Sequence, residues 1–223
     1  MEATDRPRVK ICCIASREEA ALAIRAGASA LGLVSAMPSG PGVIDEATIA
    51  EVAAAVPPPI ATFLLTSLQD AASIADQQRR LRTTTVQICD RLRASALAEL
   101  RRALPGIGLV QVVHVTGPES IEEAVSMGRE ADALLLDSGN QALAVKELGG
   151  TGRRHDWRIS RQIREAVGVP LFLAGGLGPG NVAEAIDEVG PFGLDICSGV
   201  RTDGRLDPRK LEAFFAAIRT TRA

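Results

Sequence analysis

The 223-residue sequence predicts a single-domain α/β fold, a closed (β/α)8 TIM barrel over residues 1–223. Three observations carry this reading. Short apolar runs alternate with helical patterns from end to end, and eight such strand–helix units are present. No linker or shift of composition divides the chain. The alternative, an open doubly wound sheet, needs no eighth repeat, and no GxGxxG turn follows the first strand-like run.

Each unit has its own signals. The first strand starts at Val9 and ends near Cys12, where Ser16 and Glu19 spell a capping box for a helix over residues 17–26, closed by Gly27. Lys10 and Cys12 should share one face of that strand and Cys13 the other. A strand over 30–34 leads through a Pro/Gly-rich loop, 35–43, to a helix at about 45–56, stopped by Pro57 to Pro59. Strand three covers 60–66 and its helix 67–81; strand four covers 84–88 and its helix 94–103. Pro105 and Gly106 turn the chain into strand five, 108–115, and helix five runs from 117 to about 129. Strand six, 133–136, ends on Asp137, and a glycine-rich loop, 138–155, precedes helix six at 156–167. Strand seven, 169–174, ends in Gly175 and Gly176 before a helix at 180–189. Strand eight, 192–197, ends in Ser198 and Gly199, and Asp207 caps a last helix at 208–219.

Composition narrows the function. A hydrophobic fraction of 46% suits a well-packed globular protein. Net charge is −2 with both signs interspersed, which argues against nucleic acid as a partner. The short run from Arg79 to Arg82 reads as a solvated helix end. No apolar run reaches the ~18 residues of a membrane span, and residues 1–8 lack a signal-peptide core, so the expected location is cytoplasmic. Cys12, Cys13, Cys89 and Cys197 show no CxxC spacing; they are expected to be free thiols, with no metal site and no redox pair.

In a barrel of this kind the active site lies at the carboxyl ends of the strands. Cys12 ends strand one. Asp137 ends strand six after a wholly apolar run; it is either a cap or turn residue or a proton-transfer group in a partly dry mouth. Asp195, inside strand eight, needs a partner or a ligand hydroxyl. Gly175, Gly176, Ser198 and Gly199 end strands seven and eight, where phosphate sites recur in this fold; plain turns would also place glycines there. A thiol serves as a base only as its thiolate, which a cation such as Lys10 favours. A carboxylic acid donates at neutral pH only if its proton is held more tightly than usual. One base, one acid and a phosphate anchor suit an aldose-to-ketose isomerisation of a phosphorylated sugar, with no cofactor.

The chain resembles the phosphoribosylanthranilate isomerase family of tryptophan biosynthesis from end to end. The resemblance rests on Lys10, Ile11, Cys12 and Cys13 in strand one and on Gly149, Gly150, Thr151 and Gly152 with Asp156 and Trp157 behind them. It rests further on Leu173, Ala174, Gly175, Gly176 and Leu177 with Asn181 and Val182, and on Asp195 to Val200. It implies an Amadori rearrangement of an N-glycosidic ribose phosphate, with Cys12 as general base and Asp137 as general acid. Lys10, Gln87 and Asp195 are assigned to substrate binding on the same basis. The implied partner is a small phosphorylated sugar, with no nucleic acid and no membrane, and the implied assembly is a monomer or a homodimer.

The departures from the family pattern cluster. Pro41 stands about where the family carries an arginine for the anthranilate carboxylate, and proline offers neither charge nor N–H. Cys13 replaces a glycine, Cys89 a histidine, His155 an aromatic residue and Arg201 an acidic one. Arg153, Arg154 and Arg201 are candidate replacement cations; His114 and His155 read as structural. Two other readings follow: the same chemistry on a different phosphoribosyl compound, and a non-catalytic phosphometabolite-binding protein.

Overall fold

The structure, a computed structural model, describes residues 6–93, 95–139, 143, 145–149 and 152–220. Eight parallel strands close into a barrel in sequence order: β1 (Arg8–Ile11), β2 (Ala30–Val34), β3 (Ala61–Thr66), β4 (Thr85–Ile88), β5 (Gly108–His114), β6 (Ala133–Asp137), β7 (Leu171–Leu173) and β8 (Gly193–Ile196). The seam is the β1–β8 pair, with Lys10 beside Asp195 and Ile11 beside Ile196. Eight helices surround it: α1 (Arg17–Ala26), α2 (Glu46–Ala55), α3 (Ala71–Leu81), α4 (Ala96–Ala103), α5 (Glu119–Met127), α6 (Trp157–Ala166), α7 (Val182–Val189) and α8 (Pro208–Thr220).

The eightfold barrel expected from the alternation is the one observed, and most element ends fall where the caps put them. Ser16, Asp45 and Asp156 each accept a backbone N–H at a helix start. Helix three is shorter than expected because Asp70, not Ser67, caps it through the Ser73 N–H. The helix expected over 94–103 begins at Ala94, which lies outside the described residues, as do Gly150 and Thr151 of the glycine-rich loop and residues 1–5. After β8 come a 3-10 turn (Ser198–Val200) and a small hairpin, β9 (Arg201–Thr202) and β10 (Arg205–Leu206), which the strand–helix alternation did not anticipate. Its signal was legible: Asp203 and Gly204 both take positive φ, as a two-residue Asp-Gly hairpin turn requires.

Period-two alternation sorts the side chains. Leu31, Leu33, Leu64, Val86, Leu109, Leu134 and Leu194 face outward into the layer shared with the helices. Ala30, Phe63, Leu65, Val110, Val112, Ala133, Leu135 and Phe172 fill the barrel interior, where Phe63 and Phe172 meet edge to face with ring centres 5.9 Å apart. The same inward register, continued upward, brings Lys10 and Cys12, Gln87 and Cys89, Asp137, and Asp195 and Cys197 toward the carboxyl-end mouth. Gly32 on β2 makes room for two of them, because a Cβ there would lie 2.9 Å from Cys12 Sγ and 3.1 Å from Lys10 Cε. No helix among the described residues is long and apolar enough to cross a membrane.

Candidate active site

A cleft of about 680 Å³ opens at the carboxyl ends of the strands. Cys12, Gln87, Asp137, Asp195, Gly175, Gly176 and Ser198, all expected at the site, line it. Lys10 and Gly199 do not. Lys10 has no exposed surface; its ammonium lies under the cleft, 2.9 Å from Asp195 Oδ1 and 3.7 Å from Cys12 Sγ, and 5.4 Å from the Phe63 ring centre. It meets the cleft through those two side chains. At Gly199 an added Cβ would collide with the Leu177 carbonyl.

Electrostatics separates the groups. Burial alone would drive the Lys10 ammonium toward neutrality, but the Asp195 carboxylate, then Cys12, hold its pKa above the ordinary lysine value. Asp137 has no cation within salt-bridge distance among the described residues; its Oδ1 accepts the Ser138 N–H at 2.7 Å. Burial raises its carboxyl above the usual range, the Asp195 charge adds to this, and the Ser138 bond opposes it. Gly149, at φ 136°, brings bare backbone to that carboxyl: a Cβ there would lie 2.7 Å from Asp137 Oδ2. Burial pushes the Cys89 thiol up to about 12, although Lys10 pulls it down, so Cys89 stays a thiol. Gln87 Nε2 reaches Cys89 Sγ at 3.7 Å.

Cys13 overturns an expectation. Strand alternation put it on the opposite face from Cys12, yet both line the cleft. Strand β1 ends at Ile11, and Cys13 adopts φ 61°, which turns its side chain back inward. A left-handed non-glycine residue costs roughly 1–2 kcal/mol, so its surroundings must hold it. Arg201 does so: Nη2 donates to Cys13 O at 2.6 Å and Cys12 O at 3.2 Å. Glu19 fixes that guanidinium with bonds of 3.0 and 3.1 Å. This also corrects the capping box. Ser16 Oγ accepts the Glu19 N–H, but the Glu19 carboxylate bonds Ala15 N, Leu206 N and Arg201 rather than returning to Ser16.

The proposed replacement cations are all engaged elsewhere. Besides Arg201, Arg153 pairs with Glu147, and Arg154 pairs with Glu184 and Glu188 while its guanidinium stacks 3.4 Å from the Trp157 ring centre. The wall at Pro41 is made of Met37, Ser39, Gly40 and Pro41, and no arginine among the described residues lines the cleft. His155 bonds Ser160 Oγ at 2.7 Å, and burial lowers its pKa to about 4, so it is neutral at pH 7. His114 bonds Cys89 O at 3.1 Å, and neither histidine lines the cleft.

Gly175 and Gly176, with φ of 86° and 65°, form the turn after β7. Asn181 ties it down, accepting the Gly178 N–H at 2.8 Å and donating to Gly176 O at 3.0 Å. Ser198 opens the 3-10 turn opposite, so two backbone turns flank the same end of the cleft, a place suited to an anion. Among the described residues no cluster of three or more His, Cys, Asp or Glu side chains is arranged to hold a metal ion.

Comparison with known proteins places this geometry. The family model described as N-(5'phosphoribosyl)anthranilate (PRA) isomerase matches residues 9–217. An N-(5'-phosphoribosyl)anthranilate isomerase of Methanocella arvoryzae is 34% identical over 216 residues, covering 96% of this chain and 99% of the relative. The crystal structure of the Thermus thermophilus phosphoribosyl anthranilate isomerase superposes with a TM-score of 0.81 at 26% identity, covering 96% of this chain and all of that one. Another isomerase structure, in complex with reduced 1-(o-carboxyphenylamino)-1-deoxyribulose 5-phosphate, superposes with a TM-score of 0.80 at 25% identity, covering 96% and 98% of the two chains.

Proposed function

This chain belongs to the N-(5'-phosphoribosyl)anthranilate isomerase family, and on that premise we propose that it rearranges N-(5'-phosphoribosyl)anthranilate to the 1-deoxyribulose phosphate, an intramolecular oxidoreduction in tryptophan biosynthesis. The observation that carries the reading is the pair Cys12 and Asp137 lining one cleft, with Asp137 holding its proton more tightly than an ordinary carboxyl.

The phosphate sits between the turns at Gly175–Gly176 and Ser198, the end of the cleft that offers backbone N–H groups. Asp137, as the acid, protonates the ring oxygen. The bond from C1 to that oxygen breaks and the nitrogen lone pair forms the C1–N double bond. Cys12, as the base beside the Lys10 ammonium, takes the proton from C2; the C–H pair forms the C1–C2 double bond and the C1–N pair returns to nitrogen, giving the enolamine, which becomes the ketone when its C2 hydroxyl gives up a proton and C1 takes one. Asp195, held by Lys10, and Gln87 contact the sugar. We read the protein as a cytoplasmic enzyme that works without a cofactor.

Turnover of N-(5'-phosphoribosyl)anthranilate by the wild type, with losses of about 10²–10⁴-fold in kcat for Cys12→Ser and Asp137→Asn, is the expected result. Full rates in both variants, or an inactive wild type, would overturn it. One observation favours a second reading, the same chemistry on a phosphoribosyl compound with a different aglycone: among the described residues the wall at Pro41 offers Met37, Ser39, Gly40 and Pro41 and no cation. On that reading bare ribose 5-phosphate raises the melting temperature as much as an anthranilate-bearing analogue does.

A further inference from the structure

We infer that Cys13 and Cys197 form a dithiol which hydrogen peroxide closes to a disulfide, joining the first barrel strand to the last. The two cysteines are 184 positions apart in sequence, yet their sulfurs lie 2.9 Å apart. A disulfide is about 2.05 Å long, so closure needs a movement of roughly 0.9 Å. Each sulfur arrives by a different route. Cys197 continues the inward register of Asp195 on β8, and Cys13 is turned inward by its left-handed backbone, which Arg201 holds at the carbonyl. Both line the open cleft, and Cys197 is only half-buried, so a small oxidant in the cleft meets it.

The two thiols are unequal in a way that suits the reaction. The bond with Cys13, then the Arg201 charge, lower the Cys197 pKa against the effect of burial. Contacts with Cys12 and Cys197, then burial, raise that of Cys13. Cys197 thiolate attacks one peroxide oxygen; the O–O bond breaks, a sulfenic acid forms, and hydroxide leaves to become water. Cys13 sulfur then attacks the sulfenic sulfur; the S–O bond breaks, the S–S bond forms, and hydroxide departs with the Cys13 proton as a second water. Each sulfur gives up one electron, and the peroxide takes both.

The link crosses the seam where the barrel closes and shuts a loop of most of the chain, the case in which chain-entropy arguments give a disulfide its largest effect. It also restrains the turn that carries Cys12.

The test uses the wild-type protein, treated with hydrogen peroxide or with dithiothreitol, denatured, alkylated and mapped by peptide mass. The expected product joins the Cys13 and Cys197 peptides, two hydrogens lighter than their sum, and leaves Cys12 and Cys89 alkylatable. The oxidised protein melts about 5 °C or more above the reduced one, dithiothreitol reverses the shift, and Cys197→Ser abolishes it. A link that includes Cys12, a sulfinic or sulfonic acid at Cys197 without any link, or an oxidised protein that melts no higher would overturn the inference. None of these readouts involves turnover, so their failure leaves the isomerase reading untouched.

Discussion

Two buried carboxyl groups face the same cleft, and their neighbours give them opposite characters. Asp195 on β8 has the Lys10 ammonium 2.9 Å away, in register on the adjacent strand. Among the described residues the hydrogen-bond donors to Asp137 on β6 come from Ser138, and burial drives its carboxyl upward. Both end inward-facing rows of strand residues, and both are nearly inaccessible. Burial by itself therefore does not make an acid catalyst. The counter-charge decides, and among the described residues it pairs directly with Asp195 and not with Asp137.

The largest expected effect comes from the unpaired wall. Asp137→Asn should lose turnover while gaining stability. The folded-state pKa of Asp137 lies above its unfolded value, so its favourable contribution is complete below the unfolded pKa of about 3.9 and is lost as pH rises through the folded pKa. The asparagine variant does not titrate there. Its thermal stability should exceed the wild type's at pH 7, with the gap closing toward pH 4. In the wild type the alkaline limb of kcat against pH should report the loss of this proton. Equal stability of the two proteins at every pH would break the contrast.

The paired wall should respond the other way. Lys10→Met leaves a buried carboxylate without its cation and is expected to cost about 3–5 kcal/mol in urea unfolding. Lys10→Met combined with Asp195→Leu should recover much of that loss, because the desolvation penalty disappears with the charge. Smaller again is Arg201→Met, at about 1–3 kcal/mol, since it removes donors from two carbonyls and the partner of Glu19. It should lower kcat with little change in KM, because it loosens the turn beneath Cys12 and not the turns at Gly175–Gly176 and Ser198. Ser16→Ala should cost about 1 kcal/mol through the lost α1 cap; turnover near the wild-type rate would separate helix stability from the Cys12 turn.

What could be read in advance was whatever depends on local period and local chemistry. Alternation and turn residues determined eight strand–helix units, and strand ends pointed to Cys12, Asp137, Asp195 and the glycine pair. The period of two puts Asp137 on one face with Leu135 and Ala133, but because residues 133–136 are all apolar only the structure shows that this face is the barrel interior. Long-range partnerships were not legible. Glu19 reads as a helix cap until the hairpin after β8 brings Arg201 to it. Arg201 reads as a spare cation until its bonds to the Cys12 and Cys13 carbonyls are seen. Cys13 and Cys197 read as separate thiols because alternation puts Cys13 on the outer face, although a closed barrel already sets β1 beside β8; the left-handed backbone at Cys13 is what brings the sulfurs together. Sequence determined the fold and the family and pointed to the candidate groups at the strand ends, since these follow from patterns within a few residues. Tertiary structure alone decided which carboxyl is paired, which cations are engaged and which sulfurs touch, because barrel closure joins residues from opposite ends of the chain and charge interactions depend on distance and burial.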